Sequence, residues 1–377
     1  MSNVDRRQIY IETDSALQAL AETLAVEPLF AADTESNSFH AYTERVCLVQ
    51  LSTPSADYVI DPLATDLRIL APRFSDPGRM AVFHAAEGDV VGLRRDFDFS
   101  FGRIFDTMAA AKILGRTGVG LQTLAKELLG IELSKDEQRS DWGRRPLSAS
   151  QLTYAFSDAR HLLALRDVLH AELVAKNRLV EAEAEFARLT TKSARPREVD
   201  PQAWTRIAQA KALTTRERAV LKALVAAREV IARKIDRPLF KVVSDESLLE
   251  LARARPQTQT ALESVRRFPP ALARRFATEL LAAVAAGEAA PEEAWPTPLP
   301  PPPQEVLERF EKLRAWRKKV AAERAVEVQV ILPNATLMAV ARVFPTSAEQ
   351  LQSVDGMDRY RVETYATAIL AALSATS

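Results

Sequence analysis

The sequence predicts an α/β domain built on a mixed sheet with helices on both faces, followed by two small all-α domains. Three early strand patterns come before strands that alternate with helices, an order typical of a mixed sheet. Residues 191–203 and 287–303 interrupt the periodicity with prolines, so we interpret them as linkers, the second ending in a semi-rigid polyproline II run. The two stretches that follow these linkers are similar in sequence, which indicates one fold used twice.

Short apolar runs predict the elements of the first domain in order. Residues 8–11 alternate as a strand, and the segment Thr13-Asp14-Ser15 offers an N-cap for a helix that runs to about Ala25. Further strands are predicted at 29–32, 46–52, 58–61, 80–84 and 104–107, and helices at 66–73, from Glu87, at 108–114 and at 121–129. Asp106 stands directly before a helix pattern, so we interpret it as an N-cap rather than as a metal ligand.

The strand at 29–32 leads into two acidic residues, Asp33 and Glu35. Residues i and i+2 of a strand share a face, so these carboxylates lie together while Thr34 turns away and contributes backbone groups only. Two carboxylates this close repel each other unless something neutralises them, and a divalent cation is the usual partner. The alternative is a strand end whose carboxylates are simply solvated. The pair indicates a metal site only if carboxylates from other parts of the chain lie close to it in the fold.

Two later segments provide such carboxylates. The strand at 80–84 leads into a helix with Asp89 in its first turns. Residues 148–151 form a capping box that begins another helix, and this helix carries Tyr154 and Asp158. These two residues are four positions apart, so the phenol and the carboxylate lie on one helix face.

The three motifs, D-x-E, an Asp after an apolar strand and Y-x-x-x-D, together resemble the DEDD superfamily of 3′→5′ exonucleases. Thr153 stands where the histidine subclass has its His, so the resemblance is to the tyrosine subclass. The resemblance implies a ribonuclease H-like fold and two Mg²⁺ or Mn²⁺ ions held by the four carboxylates. The catalytic residues that it implies are Asp33, Glu35, Asp89, Tyr154 and Asp158.

In such a site, two metal ions roughly 4 Å apart activate a water and stabilise the leaving 3′ oxygen. We expect Tyr154 to orient the attacking water, because a phenol with a pKa near 10 is a poor base at neutral pH. Asn37 and Phe39, just after the first motif, are predicted to contact the terminal nucleotide.

The polar connection at 131–145 is similar to the segment before the third motif in the ribonuclease D family, including S-D-W at 140–142. Lys135, Arg139 and Trp142 are predicted to contact the phosphates and bases of an incoming strand. The alternative is a solvated loop that Trp142 anchors.

The repeat in the second half of the chain has a constant offset. Residues 248–256 align with 337–345, and residues 276–283 align with 365–372, so both offsets are 89. The copies resemble the helicase-and-ribonuclease-D C-terminal (HRDC) domain, a helical nucleic-acid-binding module. The first copy is the more basic, and its candidate RNA contacts are Arg266, Arg267, Arg274 and Arg275. A solvated arginine face is the alternative.

We therefore predict an exonuclease domain at 1–190 and helical domains at 204–287 and 304–377. This organisation resembles the ribonuclease D family, which implies a hydrolytic 3′→5′ exoribonuclease. The expected reaction trims the 3′ ends of structured RNA such as tRNA precursors and releases nucleoside 5′-monophosphates. One alternative is an RNA-binding scaffold with a dead site, but no motif carboxylate is missing. Another alternative is a DNA proofreading exonuclease, but the paired helical domains favour an RNA substrate over a DNA substrate.

Composition supports an acidic site joined to a basic binding module. The net charge is zero, but residues 1–110 carry about −8 and residues 197–290 about +6. The single cysteine, Cys47, lies in an apolar run and is expected in the core, which fits a reducing compartment. No apolar stretch approaches the ~20 residues of a membrane span. We expect a cytoplasmic monomer whose partner is RNA, with no membrane association.

Overall fold

Six strands form one mixed sheet in the order β1-β4-β3-β2-β5-β6. The computed structural model describes residues 6–134, 136–194, 198–297 and 300–374. The strands are β1 (Arg7–Ile11), β2 (Leu29–Ser36), β3 (Val46–Ser52), β4 (Ala56–Ile60), β5 (Met80–Phe83) and β6 (Ile104–Asp106). β3 pairs antiparallel with β4, whereas β1 with β4, β2 with β5, and β5 with β6 are parallel pairs. The predicted mixed sheet is confirmed.

Eight helices accompany this sheet in the described residues up to Thr190. They are α1 (Asp14–Val26), α2 (Ala71–Ser75), α3 (Glu87–Phe97), α4 (Thr107–Ile113), α5 (Leu121–Leu124), α6 (Ala149–Asp158), α7 (Leu162–Ala175) and α8 (Leu179–Thr190). The helix predicted at 66–73 is in fact a 3₁₀ turn, Leu67–Leu70, followed by α2, which begins beside Pro72. A proline fits the first turn of a helix but not its interior, so the chain starts a new helix there. The helix predicted at 121–129 continues beyond α5 as a π-helical turn, Ala125–Leu129.

The middle strands are buried along their whole length. Every residue of β3 and β4 is buried, including Cys47, as expected for strands covered on both faces. Their apolar runs are therefore continuous rather than alternating.

The register of the parallel strands determines where the motifs meet. Phe30 of β2 pairs with Ala81 of β5, and Phe83 of β5 pairs with Asp106 of β6. The carboxyl ends of β2, β5 and β6 therefore lie at one edge of the sheet. The acidic end of β2 and the turn that enters α3 leave the sheet at this edge.

The two copies of the helical domain repeat element by element. The first contains α9 (Thr215–Ile235), α10 (Leu239–Val242), α11 (Asp245–Ala254), α12 (Gln259–Glu263), α13 (Pro270–Arg275) and α14 (Ala277–Ala289). The second contains α15 (Gln304–Glu323), α16 (Val328–Ile331), α17 (Asn334–Val343), α18 (Ala348–Gln352) and α19 (Arg359–Ser374). Each helix of the second copy begins 89 residues after its counterpart, and α19 replaces α13 and α14 with one continuous helix.

A buried arginine repeats with the same offset. Arg228 donates to the carbonyl of Val243 and to Asp245, and Arg317, 89 residues later, donates to the carbonyl of Leu332 and to Asn334. In both copies the arginine joins the long first helix to the start of the third. The predicted repeat is thus confirmed down to one polar contact in the core.

In the described residues the sheet domain and the two helical copies each have a main hydrophobic core, and a fourth, smaller core lies around Cys47. The described residues group into two compact units. One contains the sheet domain with the second copy, and the other contains residues 36–45 with the first copy. The predicted limits of three domains stay a prediction. Pro298 and Leu299 of the proline run lie outside the described residues. None of the described helices is long and apolar enough to cross a membrane.

Candidate active site

Three carboxylates converge at the edge where β2 ends. One carboxylate oxygen from each of Asp33, Glu35 and Asp158 lies within 4.8 Å of the others. They line a cavity of about 430 Å³ that Tyr154 and His84 also line. The structure therefore brings the first and third motifs together, although they are more than 120 positions apart in the chain.

The capping box sets the start of the helix that carries the third motif. Gln151 N donates to Ser148 Oγ at 3.1 Å, and Ser148 N donates to Gln151 Oε1 at 2.9 Å, as predicted. These bonds satisfy backbone donors that a helix start leaves unpaired. α6 therefore begins at a defined residue, which places Tyr154 and Asp158 one turn apart on the face toward the cavity.

Asp106 is an N-cap, as predicted, and it also shapes the turn before the second motif. Its carboxylate accepts hydrogen bonds from Met108 N and Ala109 N at the start of α4. It also accepts from Ala85 N at 3.1 Å and Ala86 N at 2.8 Å. Ala85 has a left-handed backbone with φ of 60°, so these bonds hold a strained turn in place. The turn leads into α3 and so positions Asp89.

Asp89 is buried but is not one of the three converging carboxylates. Its Oδ1 accepts a hydrogen bond of 2.6 Å from the hydroxyl of Thr34. The expectation that Thr34 contributes backbone groups only is therefore wrong. The side chain points away from Asp33 and Glu35, as the strand alternation requires, but the chain that leaves β5 puts an acidic partner on that side.

Burial raises the pKa of every motif carboxyl, and repulsion by other carboxylates raises it further for Asp33, Glu35 and Asp89. Burial, with the charge of Asp158, raises the pKa of Asp33 to about 8, and burial with the other three carboxylates raises that of Glu35 to about 10. Burial raises the pKa of Asp158 to about 7, although the nearby Tyr154 hydroxyl opposes this rise. The pKa of Asp89 is also raised by burial and by Asp33.

The donor set suits divalent cations. In the part of the chain that the structure describes, no lysine or arginine forms an ion pair with any of the four motif carboxylates. Oxygen ligands from several carboxylates are what Mg²⁺ and Mn²⁺ prefer, and a bound cation favours the ionised form that burial disfavours. The residues at this edge therefore fit the metal chemistry that the resemblance implies.

Tyr154 stays protonated at neutral pH. Burial, followed by the charges of Asp158, Glu35 and Asp33, raises its pKa above the usual range of a phenol. Asp158 contributes the largest of these charges, and it lies one turn away on the same helix. A phenol that keeps its proton serves as a hydrogen-bonding group rather than as a base.

Trp142 is buried beside Tyr154, which corrects the prediction that it contacts RNA bases. Its side chain is 1% exposed and packs in a small core with Cys47 and Ala155. The indole ring centre lies 6.0 Å from that of Tyr154. A base has no access to a ring that is covered on both faces, so the anchoring interpretation of Trp142 is the correct one. Arg145 holds the same segment by donating to Asp61 and to the carbonyl of Cys47.

Comparison with known proteins agrees with this geometry. Residues 8–174 match the 3′-5′ exonuclease domain family, and residues 217–284 and 306–373 each match the HRDC domain family. Ribonuclease D from Pseudomonas paraeruginosa is 31% identical over 370 residues, which cover 97% of each chain. The chain belongs to the ribonuclease D family. As a member it is a 3′→5′ exoribonuclease with the predicted ribonuclease H-like domain and two HRDC domains.

Two further known proteins are similar to this member of the ribonuclease D family. The crystal structure of E. coli RNase D, described as an exoribonuclease involved in structured RNA processing, superposes with a TM-score of 0.69 at 27% identity. The match covers 97% of this chain and 98% of that one. Protein RRP6-like 3 from Arabidopsis thaliana is 40% identical over 167 residues, which are 44% of this chain but only 19% of that protein.

The five arginines that are also predicted to contact RNA are exposed in the structure of this ribonuclease D family member. Arg139 is exposed in the connection before α6, and Lys135 lies outside the described residues. The four arginines of the first HRDC domain, Arg266, Arg267, Arg274 and Arg275, are all exposed. Their contact with RNA stays a prediction.

The two predicted nucleotide contacts after the first motif differ in exposure. The Asn37 side chain is buried and accepts from Arg45 N at 2.8 Å, so it closes a loop. Phe39 is 49% exposed. Contact of either residue with a nucleotide stays a prediction.

Sequence reasoning gave no role to the side chains of Thr34 and His84. Thr34 stands between two motif carboxylates, and His84 is the first polar residue after the buried strand β5. Like Asp33 and Glu35, His84 is a polar residue at the carboxyl end of an apolar strand. This pattern is visible in the sequence and could have indicated a role for His84.

Proposed function

We propose that this exoribonuclease trims the 3′ ends of structured RNA such as tRNA precursors and releases nucleoside 5′-monophosphates. The observation that carries the proposal is the convergence of Asp33, Glu35 and Asp158 within 4.8 Å, beside a phenol that keeps its proton. The description of E. coli RNase D as an enzyme of structured RNA processing supports the substrate class.

Asp33, Glu35, Asp89 and Asp158 would hold two divalent cations, Mg²⁺ or Mn²⁺. When bound, such ions stabilise the charge that develops on the phosphate and lower the pKa of water. The four carboxylates contribute the negative charge that retains the ions, and Thr34 orients Asp89. Their raised pKa values keep the metal-free site partly protonated, so metal binding and proton release are coupled.

Tyr154 would orient the attacking water. Its hydroxyl keeps the proton and lines the cavity, so it offers a water molecule both a hydrogen-bond donor and an acceptor. Trp142 packs against the phenol ring and restricts its motion. The contribution of Tyr154 is therefore the direction of the water, not the removal of its proton.

The exposed arginines of the first HRDC domain would bind phosphates of the RNA body, with Arg139 contributing near the third motif. Arg267 pairs with Glu246 on the surface, and such exposed pairs are weak enough to exchange for a phosphate. Arg275 lies over the ring of Phe276, with 5.0 Å between its guanidinium carbon and the ring centre, which leaves its edge for an anion.

We also propose that the protein acts as a cytoplasmic monomer. The single buried cysteine suits a reducing compartment. Light scattering at several protein concentrations measures the oligomeric state, and a constant dimer mass would contradict the proposal.

A degradation assay on matched RNA and DNA oligonucleotides, with Mg²⁺ and with EDTA, tests the function. We expect stepwise shortening of RNA from the 3′ end only with Mg²⁺, and chromatography should identify nucleoside 5′-monophosphates. An oligonucleotide with a blocked 3′ end is the control. Binding without degradation would indicate a dead-site scaffold, and faster degradation of DNA would indicate a proofreading enzyme.

A further inference from the structure

His84 has no role in the reaction as described so far, yet it lines the catalytic cavity. It follows β5 at the carboxyl edge of the sheet and faces the same cavity as Asp33, Glu35 and Tyr154.

A chain of two hydrogen bonds determines which nitrogen of His84 carries the proton. Thr107 Oγ1 lies 3.1 Å from the backbone oxygen of Phe83, and His84 Nδ1 lies 2.8 Å from the same Thr107 oxygen. A carbonyl oxygen only accepts, so the single hydroxyl proton of Thr107 goes to Phe83. The Thr107 oxygen must then accept from His84, which requires a proton on Nδ1.

The imidazole ring is neutral at physiological pH. Burial lowers the pKa of His84, Lys112 lowers it further, and Asp106 opposes them. The carboxylate of Asp106 is already occupied by backbone N–H groups at Ala85, Ala86, Met108 and Ala109. A neutral ring with its proton on Nδ1 leaves Nε2 as a hydrogen-bond acceptor.

The chemistry of RNA limits what donates to this acceptor. Phosphate oxygens of RNA are acceptors and are excluded. Base donors change from one nucleotide to the next, whereas an exonuclease meets each base in turn at the same site. The 2′- and 3′-hydroxyls are donors that every 3′-terminal ribonucleotide carries, and the 2′-hydroxyl is the one by which a protein distinguishes RNA from DNA.

We propose that His84 Nε2 accepts a hydrogen bond from the 2′-hydroxyl of the 3′-terminal nucleotide, and that His84 thereby favours an RNA end over a DNA end. The proposal rests on the exoribonuclease function described above. Thr107 is a positioning residue in it, because it holds the ring in the required tautomer.

Single-turnover cleavage on two oligonucleotides tests the proposal. One is RNA, and the other differs only by a 2′-deoxy nucleotide at the 3′ end. His84→Asn keeps a side-chain donor near the position of Nδ1 but has no atom at Nε2, whereas the longer His84→Gln side chain reaches that position with an oxygen. A neutral hydrogen bond contributes about 0.5–1.5 kcal/mol, so we expect His84→Asn to cleave the RNA end roughly two- to thirteenfold more slowly.

The ratio of the two rates is the decisive quantity. His84→Asn should lose rate on the ribo end while keeping its rate on the deoxy end, and His84→Gln should restore part of the preference. An unchanged ratio in His84→Asn, or an equal loss on both ends, would overturn the role of His84 while leaving the exoribonuclease function intact. A wild-type protein that degrades neither oligonucleotide would overturn both.

The tautomer is measurable without activity. The chain has four histidines, so His84→Asn assigns the His84 signals in nitrogen-15 spectra of the full-length protein. We expect a neutral ring protonated at Nδ1 at pH 7, and Thr107→Val should shift the spectrum toward a mixture of tautomers. A ring protonated at Nε2, or an imidazolium, would overturn the proposal.

Discussion

The hydroxyl of Thr34 donates a hydrogen bond of 2.6 Å to the carboxylate of Asp89, 55 positions later in the chain. This bond favours the ionised form of Asp89, while burial raises its pKa. Thr34 lies between Asp33 and Glu35, so a single residue of β2 connects the first motif to the second.

We predict that Thr34→Val weakens metal binding roughly 10- to 100-fold, the usual cost of removing a group that orients a metal ligand. Valine keeps the branched shape and the strand preference but has no hydroxyl. Thr34→Ser is the matched control and should bind metal within a few-fold of wild type. Calorimetric titration with Mn²⁺ measures both, and equal affinities of the Val and Ser variants would mean that the bond to Asp89 is not needed.

Asp33→Asn and Asp158→Asn should each lose about a thousandfold or more in cleavage rate and remain folded. Losing a ligand forfeits several kcal/mol of transition-state stabilisation, and each 1.36 kcal/mol is tenfold in rate. Asp167→Asn, at a carboxylate that is 65% exposed, is the control and should cleave normally. Rates within tenfold of wild type in saturating Mg²⁺ would contradict the assignment of Asp33 and Asp158.

Tyr154→Phe should lose roughly 10²-fold in rate, because it removes only the group that directs the water. The ring that packs against Trp142 is retained, so we expect the thermal stability to stay near that of wild type. Metal affinity should also survive. A collapse of metal affinity in this variant would indicate that the hydroxyl supports the ligands rather than the water.

The metal-free protein should lose stability as the pH rises. The folded carboxyls have pKa values of about 8 for Asp33 and about 7 for Asp158, against ~3.9 for an unfolded Asp. Between those values the folded state holds protons that the unfolded chain has released, so the free energy of unfolding falls with rising pH. In EDTA, the melting temperature should fall from pH 5 to pH 8.5, and less so in Asp33→Asn.

Adding Mg²⁺ should reverse this trend. Metal binding requires ionised carboxylates, and the pKa values of Asp33 and Glu35 lie above 7, so binding should release about two or more protons per protein at pH 7. Calorimetry in buffers of different ionisation enthalpy counts these protons. A melting temperature in EDTA that is the same at pH 5 and pH 8.5, together with no proton release, would show that the site is already ionised without metal.

Changing Arg266, Arg267, Arg274 and Arg275 to Gln should weaken binding of a tRNA-like substrate and flatten its salt dependence. Each phosphate contact contributes about −0.7 to the log–log slope for single strands. Arg359→Gln is the control in the second HRDC domain, where the exposed side chain pairs with Glu363. A four-Gln variant with the slope and affinity of wild type would show that these arginines are only a solvated face.

Arg361 is unsuitable as a second control, although it lies in the same helix as Arg359. Its side chain is buried and pairs with Asp358 and with Glu185 of α8. Removing one partner of a buried ion pair leaves the other charge unpaired, which strongly destabilises a protein. If an Arg361 variant bound RNA more weakly, the cause would therefore be a loss of folded protein and not the loss of a contact with RNA.

The sequence by itself determined the features that depend on local periodicity. Asp33 and Glu35 share a strand face, Tyr154 and Asp158 share a helix face, and Ser148 begins that helix, because these relations involve residues at most four positions apart. The repeat of the HRDC domain was equally readable, since a constant offset of 89 needs no knowledge of the fold.

Only the tertiary structure decided which side chains meet across long separations. Thr34 reaches Asp89, Trp142 enters a small core beside Tyr154, and the tautomer of His84 depends on Thr107, 23 positions away. In each case the role of a polar or aromatic group depends on its partner, and the partner is provided by packing between elements that are distant in the chain. Local sequence patterns do not predict those pairings, because the same residue types also occur at exposed positions in contact with water.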